Sequence, residues 1–359
     1  MGVEHNQDGT TEGECARGSR YSANVYFDDE IASTALLLSY EDRHDPSQSI
    51  SVGIAPDLGS NMFRFRVGAH EIIHCDQALL RRKDFTGSLV LWPFPNRMRG
   101  KRYIYQWQTY SLEGLKRPQG DDALIHGLVF DRQWQYDSPV FEPDAVSVTT
   151  CIQMTPESPF YSAYPFESRL SLTYTLTSAG VTVAYRVQNQ GTKDLPFGFA
   201  LHPYFSLLSG KAATLVSIPA NIVMEADDEL LPTGRLLKVD GLMYAMFDLR
   251  QPVPVGNLKL DHVYTGLCPG ASAVIEYREQ VMRLRVSASS EFTHIVVYTP
   301  PNAAFFCLES QTCSTDAVNL HHQGRKELAH LQEVRPGETS TGSIRYSVEF
   351  GAKDGGSVP

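Results

Sequence analysis

The chain has 359 residues, enough for a large core, and its 42% hydrophobic and 20% charged content is that of an ordinary globular protein. A formal net charge of −10 argues against duplex nucleic acid as a partner, because that affinity rests on Lys and Arg neutralising phosphates. No window approaches the length of a membrane span, and Met1–Arg20 lacks the apolar stretch of a secretory leader. The six cysteines (15, 75, 151, 268, 307 and 313) form no CxxC pair and no regular spacing, which predicts free thiols and a reducing, cytoplasmic setting.

Residues 1–20 read as a disordered polar tail and 351–359 as a flexible one. Between them, turn signals recur about every ten residues and separate runs with the two-residue period of strands. Phe63–Val67 alternates strictly, and Val146–Ile152 alternates with β-branched residues. Arg169–Leu176 and Val181–Val187 predict a hairpin around Ser178–Gly180. Ala273–Tyr277 and Met282–Val286 predict a second, turning at Arg278–Gln280. Further runs are His294–Tyr298 and Ile344–Phe350. Helical turns are expected only near Pro159–Phe166 and Asp316–His321. With no repeat or low-complexity linker to divide it, residues 21–350 are expected to form one large antiparallel β-sandwich.

His70-Glu71-Ile-Ile-His74 is a literal HExxH, a spacing that binds zinc when a helix brings both imidazoles to one face. Here it follows the Phe63–Val67 run after one glycine, so strand geometry is expected, and Glu71 would then point away from both histidines. Position 77 is Gln and position 80 is Leu, so the extended zinc motif fails as well. A zinc hydrolase is therefore disfavoured. His321-His322 reads as an exposed polar pair rather than as metal ligands.

Five other places put a polar residue at the end of an apolar β run. Phe197–Leu208 contains His202 directly before Pro203, a proline that holds the histidine's backbone extended. Leu91–Gly100 is a strand end leading into a proline loop that presents Asn96 and Arg97. Ala123–Val129 contains His126 beside Gly127, a glycine expected to let a ligand approach the backbone. Leu260–Gly266 carries Asp261, and Phe305–Cys313 carries Glu309 with Gln311 and Thr312 beside it. Two histidines, two carboxylates and one arginine at strand ends point to a shared cleft. Trp92, Tyr204 and Phe205 are candidates for an aromatic face within it.

With Pro95-Asn-Arg97, Ile125-His126-Gly127, His202-Pro-Tyr-Phe205, Asp261–Gly266, and Tyr298-Thr-Pro-Pro followed by Leu308-Glu309-Ser-Gln-Thr312, the chain resembles the aldose 1-epimerase (galactose mutarotase) family. The matching stretches run in the family's order across about residues 24–350. The resemblance implies a supersandwich fold, a free aldose as the small-molecule partner, and no cofactor. It implies Glu309 as catalytic base, His202 as catalytic acid, and Arg97, His126 and Asp261 as sugar-binding residues. A carboxylate and a protonated imidazole on opposite sides of the sugar suit the two proton transfers of ring opening. Asp261, or another acid nearby, is expected to help keep an imidazole charged.

Two positions depart from the common pattern, Ser206 after the His202 motif and Ser310 after Glu309, and they bear on substrate preference. A hexose-6-phosphate epimerase-like enzyme is the near alternative, with Arg99 and Arg102 as candidate phosphate ligands. A non-catalytic carbohydrate-binding protein using the same cleft is the alternative of a different kind.

Overall fold

In the computed structural model the described residues are 11–12, 19–115 and 125–351. The tails expected at 1–20 and 351–359 lie outside them, apart from Thr11–Glu12, Ser19–Arg20 and Gly351. Thr11–Glu12 pairs antiparallel with Asn24–Val25.

Among the described residues, three large antiparallel sheets, with two smaller two-stranded ones, build the fold, in keeping with the two-residue periodicity. The first is a meander of Tyr21–Asp28, Ser33–Tyr40, Ile50–Ala55, Asn61–Val67 and His70–Glu71, with Thr11–Glu12 on its edge. The second has ten strands and is centred on the predicted hairpin, Ser168–Thr177 with Gly180–Asn189, whose turn is where the sequence places it. The closing strand Thr339–Phe350 lies between that hairpin and Met282–Ala288, so distant parts of the chain complete one sheet. Along Ser168–Thr177, every second side chain is buried.

The third sheet carries His202, Glu309 and Asp261. Its order is Pro232–Lys238, Ala220–Ala226, Asp261–Leu267, His294–Tyr298, Phe305–Gln311, Ala200–Ser206 and Ser88–Leu91. One face packs into the main core through Val90, Leu201, Phe205, Phe306 and Leu308. The opposite face bears a separate cluster of Leu89, Leu91, Phe130, Ala200, Tyr204 and Cys307, bordered by half-buried Phe85, Tyr298 and Phe305. The three sheets meet at Tyr346, whose ring lies 6.4 Å from Phe65 and 6.1 Å from Phe205.

Helices are short. Ala317–His322 appears where Asp316–His321 was expected, whereas Pro159–Phe166 is a string of turn bonds without a helix. Gln77–Arg81 is a helix that hydrophobic periodicity did not signal; Asp76 caps it by accepting from Ala78 N and Leu79 N. That helix begins only after the HExxH segment. His70 and Glu71 sit on a two-residue strand, Ile72 and Ile73 are buried, and Glu71 lies 3.6 Å from Arg64. His321 and His322 are half-buried rather than exposed: His321 lies 3.8 Å from Glu333, and His322 meets the Trp107 ring.

The described cysteines, Cys75, Cys151, Cys268, Cys307 and Cys313, are free thiols. Among the described residues, no helix is long and apolar enough to cross a membrane.

Phe205 is fully buried where the second and third sheets meet. Phe205→Ala is expected to cost about 3–5 kcal/mol, read as a lowered urea midpoint.

Candidate active site

His202 and Glu309 are brought together by strand register. Ala200 opposes Gln311 and Tyr204 opposes Cys307, so His202 lies across from Glu309 on the adjacent strand. On its other side His202 opposes Leu89. His202 Nε2 and Glu309 Oε1 are 3.3 Å apart, and both side chains are buried. The apolar run before His202 is two strands rather than one. Leu195–Phe197 pairs with Gln332–Val334, and the chain then bends at Gly198–Phe199 into Ala200–Ser206.

Aromatic rings fix the imidazole's plane. Tyr204 stacks on His202 at 4.7 Å, His126 meets it edge-on at 4.9 Å, and Phe85 backs His126 at 5.6 Å. Tyr204 in turn meets Phe305 at 4.9 Å. Of the three expected aromatic candidates, Tyr204 alone touches the pair. Trp92 packs on Tyr164 in the core, and Phe205 points to the core because it stands one residue out of phase with His202.

His126 and Arg97 come from two loops zipped together by backbone pairing. His126 N donates to Asn96 O, Leu128 N donates to Trp92 O, and Arg97 bridges Ile125. Gly127 has φ +73°, and a Cβ there would sit 2.3 Å from the Trp92 carbonyl oxygen. The space beside His126 is therefore taken by the protein's own backbone, not left for a ligand. Asn96 and His126 also adopt left-handed φ, and the half-buried Arg97 reaches Asn96 Oδ1 at 3.2 Å. Asp316 holds the arginine loop from behind, donating its N–H to Arg97 O and accepting from Arg99 N.

Asp261 starts its strand opposite Tyr298, which in turn opposes Cys307. It is thus two strands across and one pleat along from Glu309, on the same side of the sheet.

Burial sets the electrostatics. It pushes His202 down to about 4 and Glu309 up to about 8, so each favours its neutral form. Gln311 Nε2 donates to Glu309 Oε2 at 3.1 Å and opposes that rise, whereas the Asp261 charge adds to it. Asp261 is itself raised by burial, with Arg97 pulling it back. The expectation that Asp261 keeps an imidazole charged is corrected accordingly. His202 owes its shift to burial, and the imidazole that Asp261 favours in its charged form is His262, which burial nonetheless pushes down. A further correction concerns placement. His202 and Glu309 touch each other, so they are adjacent rather than on opposite sides of a substrate. The pair is best described as sharing a single proton across the neutral range.

Several neighbours escaped sequence reasoning. Gln311 was noted beside Glu309, but only the strand's two-residue period shows that it shares the carboxylate's face. Phe85 carried no motif at all. Ser310 opposes Ile295 and faces away from Glu309, so it cannot touch a ligand held by that carboxylate. Arg99 is committed elsewhere, 2.8 Å from Asp227 and 3.9 Å from Glu229, which removes it as a ready phosphate ligand.

The family model described as aldose 1-epimerase matches residues 51–347. An uncharacterized Escherichia coli protein, YihR, is 30% identical over 234 residues, covering 64% of this chain and 71% of that one. Galactose mutarotase from Rattus norvegicus is 27% identical over 194 residues, covering 52% of each chain. In three dimensions, a galactose mutarotase-like protein from Clostridium acetobutylicum superposes with a TM-score of 0.77 at 18% identity, covering 95% of this chain and 98% of that one.

Gly127→Ala, which drives a Cβ into the Trp92 carbonyl at a left-handed position, is expected to destabilise by roughly 2 kcal/mol or more. Chemical denaturation would measure the loss.

Proposed function

Because the chain belongs to the aldose 1-epimerase family, we propose that it is a mutarotase, an isomerase that interconverts the α and β anomers of a free aldose. The observation that carries this reading is the buried 3.3 Å contact between His202 and Glu309. The two atoms that exchange protons on ring opening, the C1 hydroxyl oxygen and the ring oxygen, are bonded to the same carbon. An acid and a base held side by side can therefore serve both.

Burial favours the proton on Glu309. The cycle then starts with its transfer from Glu309 Oε1 to His202 Nε2, giving a carboxylate and an imidazolium. Glu309 takes the proton of the C1 hydroxyl, the C1–O bond to the ring oxygen breaks as the C1 carbonyl forms, and His202 protonates the departing oxygen. Rotation about C1–C2 exposes the other carbonyl face. On reclosure the ring hydroxyl returns its proton to His202 and Glu309 reprotonates the carbonyl oxygen, so the net proton count is unchanged. General acid–base groups of this kind contribute about 10²- to 10⁴-fold each.

Arg97, His126 and Asp261 are proposed to hold the sugar hydroxyls, since together they offer donors and acceptors around the pair. Tyr204 serves a different purpose: stacked on His202, it keeps the imidazole in the plane that reaches Glu309.

Glu309→Gln and His202→Asn are each expected to lower mutarotation by at least about 10²-fold while the fold survives. Polarimetry on freshly dissolved α-anomers reads the loss; full activity in both variants overturns the assignment, and sugar binding without anomerisation by the wild type would make the protein a carbohydrate-binding one. The pH dependence follows from the one-proton pair. Below about 4 His202 is protonated along with Glu309 and no base remains; above about 8 Glu309 has lost its proton with His202 neutral, and no acid remains. A bell-shaped profile of kcat/KM between those limits is expected.

A further inference from the structure

Facing sheets stand about 10 Å apart, and large side chains are needed to fill the space between them. At one end of the second and third sheets that filling gives out. Along Met282–Ala288 the inward row runs Met282, Leu284 and Val286, all buried, and ends on the exposed Ala288. Along Phe305–Gln311 the row that enters the main core runs Phe306 and Leu308, and ends on Ser310. Both rows shrink toward the same end, and a cavity of about 550 Å³ opens there between the sheets. Ala273, Phe292 and Ile295 also line it, while Cys268 and Ala271 stand exposed at its rim. It lies behind the proposed active site, on the face of the third sheet opposite to Glu309.

The chemistry of the lining selects the occupant. No Asp, Glu, Lys or Arg borders the cavity among the described residues, and His330 is the one basic group on its wall. A charged ligand would lose its hydration there without gaining a strong counter-charge. Of the five Ser and Thr hydroxyls on the wall, four are engaged by the protein. Thr265 donates to Thr293 O, Thr293 to Thr312 O and Ser290 to Glu291, while Ser289 accepts from Ser343 N. Ser310 is 5% exposed, and its hydroxyl has no such partner among the described residues. A hydroxyl that is nearly buried and unmet is costly, so a ligand group that meets it gains more than an ordinary hydrogen bond. Ser310 is also one of the two residues that depart from the family's common pattern.

We propose that this slot is a second ligand site, for an uncharged, flat ring compound whose hydroxyl hydrogen-bonds Ser310. The rings lie between the two sheets, against Phe292 and Ile295. The site stands apart from the His202–Glu309 pair and does not depend on the mutarotase reading.

The probe is 2-naphthol, titrated into the full chain by calorimetry at about pH 8, above the usual range of imidazoles. A Kd of about 0.1 mM or below is expected. The charged 2-naphthoate, with the same rings, is expected to bind at least about tenfold more weakly. Ser310→Ala is expected to weaken 2-naphthol about fivefold. Bound 2-naphthol is expected to slow the attack of a thiol reagent on Cys268 by about tenfold or more, read as the difference between wild type and Cys268→Ser. Ala288→Trp, at the exposed mouth, fills the slot and is expected to abolish binding; Ala271→Trp does so should the first variant fail to fold. His202→Asn is expected to bind 2-naphthol as the wild type does, which separates this site from the catalytic pair. The site is overturned by an absence of binding at millimolar 2-naphthol, by equal affinity for 2-naphthoate, or by unchanged Cys268 reactivity. It is overturned equally by binding that survives both filling substitutions, by an affinity that Ser310→Ala leaves unchanged, or by binding that His202→Asn removes.

Discussion

Two ionisable side chains, His202 and Glu309, are removed from water and pressed against each other in the middle of a sheet. Burying either as an isolated charge costs several kcal/mol, so the arrangement persists only because the pair can hold one proton and remain neutral overall. That constraint explains the surroundings. Gln311 supplies the hydrogen bond that keeps the carboxylate within reach of ionisation, and the rings of Tyr204, His126 and Phe85 exclude water without competing for the proton. Asp261 and Arg97 face each other's charge at the edge of the same site.

The seven-stranded sheet separates chemistry from packing by its pleat. Leu201, Phe205, Phe306 and Leu308 enter the main core, while Ala200, His202, Tyr204, Cys307, Glu309 and Gln311 alternate with them on the other side. A slip of one residue between these two strands would exchange the sets, placing Leu308 or Ser310 where the carboxylate stands. The core therefore enforces the register on which the reactive contact depends. Stability and the proposed activity share one alignment.

The strands and hairpins were legible because alternation and turn residues are local signals: the Ser178–Gly180 and Arg278–Gln280 turns lie where the sequence puts them. The strand geometry at His70–Glu71 followed from its neighbours in the same way. The short helix at Gln77–Arg81 was missed because one capping aspartate decides it, with too few residues for a periodic face. Gly127 was legible as special, but the reason was not. A glycine's missing side chain can be matched by ligand or by backbone, and only the approach of the Trp92 carbonyl distinguishes them.

The sequence by itself determined the all-β class and the family, and it singled out five polar residues as strand-end groups; the structure instead sets His202 and Glu309 inside their strands, Asp261 at a strand start, and Arg97 and His126 on loops. Class, family and the choice of residues depend on residue type and short spacing, which the chain displays directly. Tertiary structure alone decided that His202 and Glu309 touch, that Asp261 acts on Glu309 and His262 rather than on His202, and that Ser310 and Phe205 turn away. The first of these depends on register between strands more than a hundred residues apart in the chain, and the others on register across nearer strands and on the desolvation that packing imposes. Neither is a property of any local stretch.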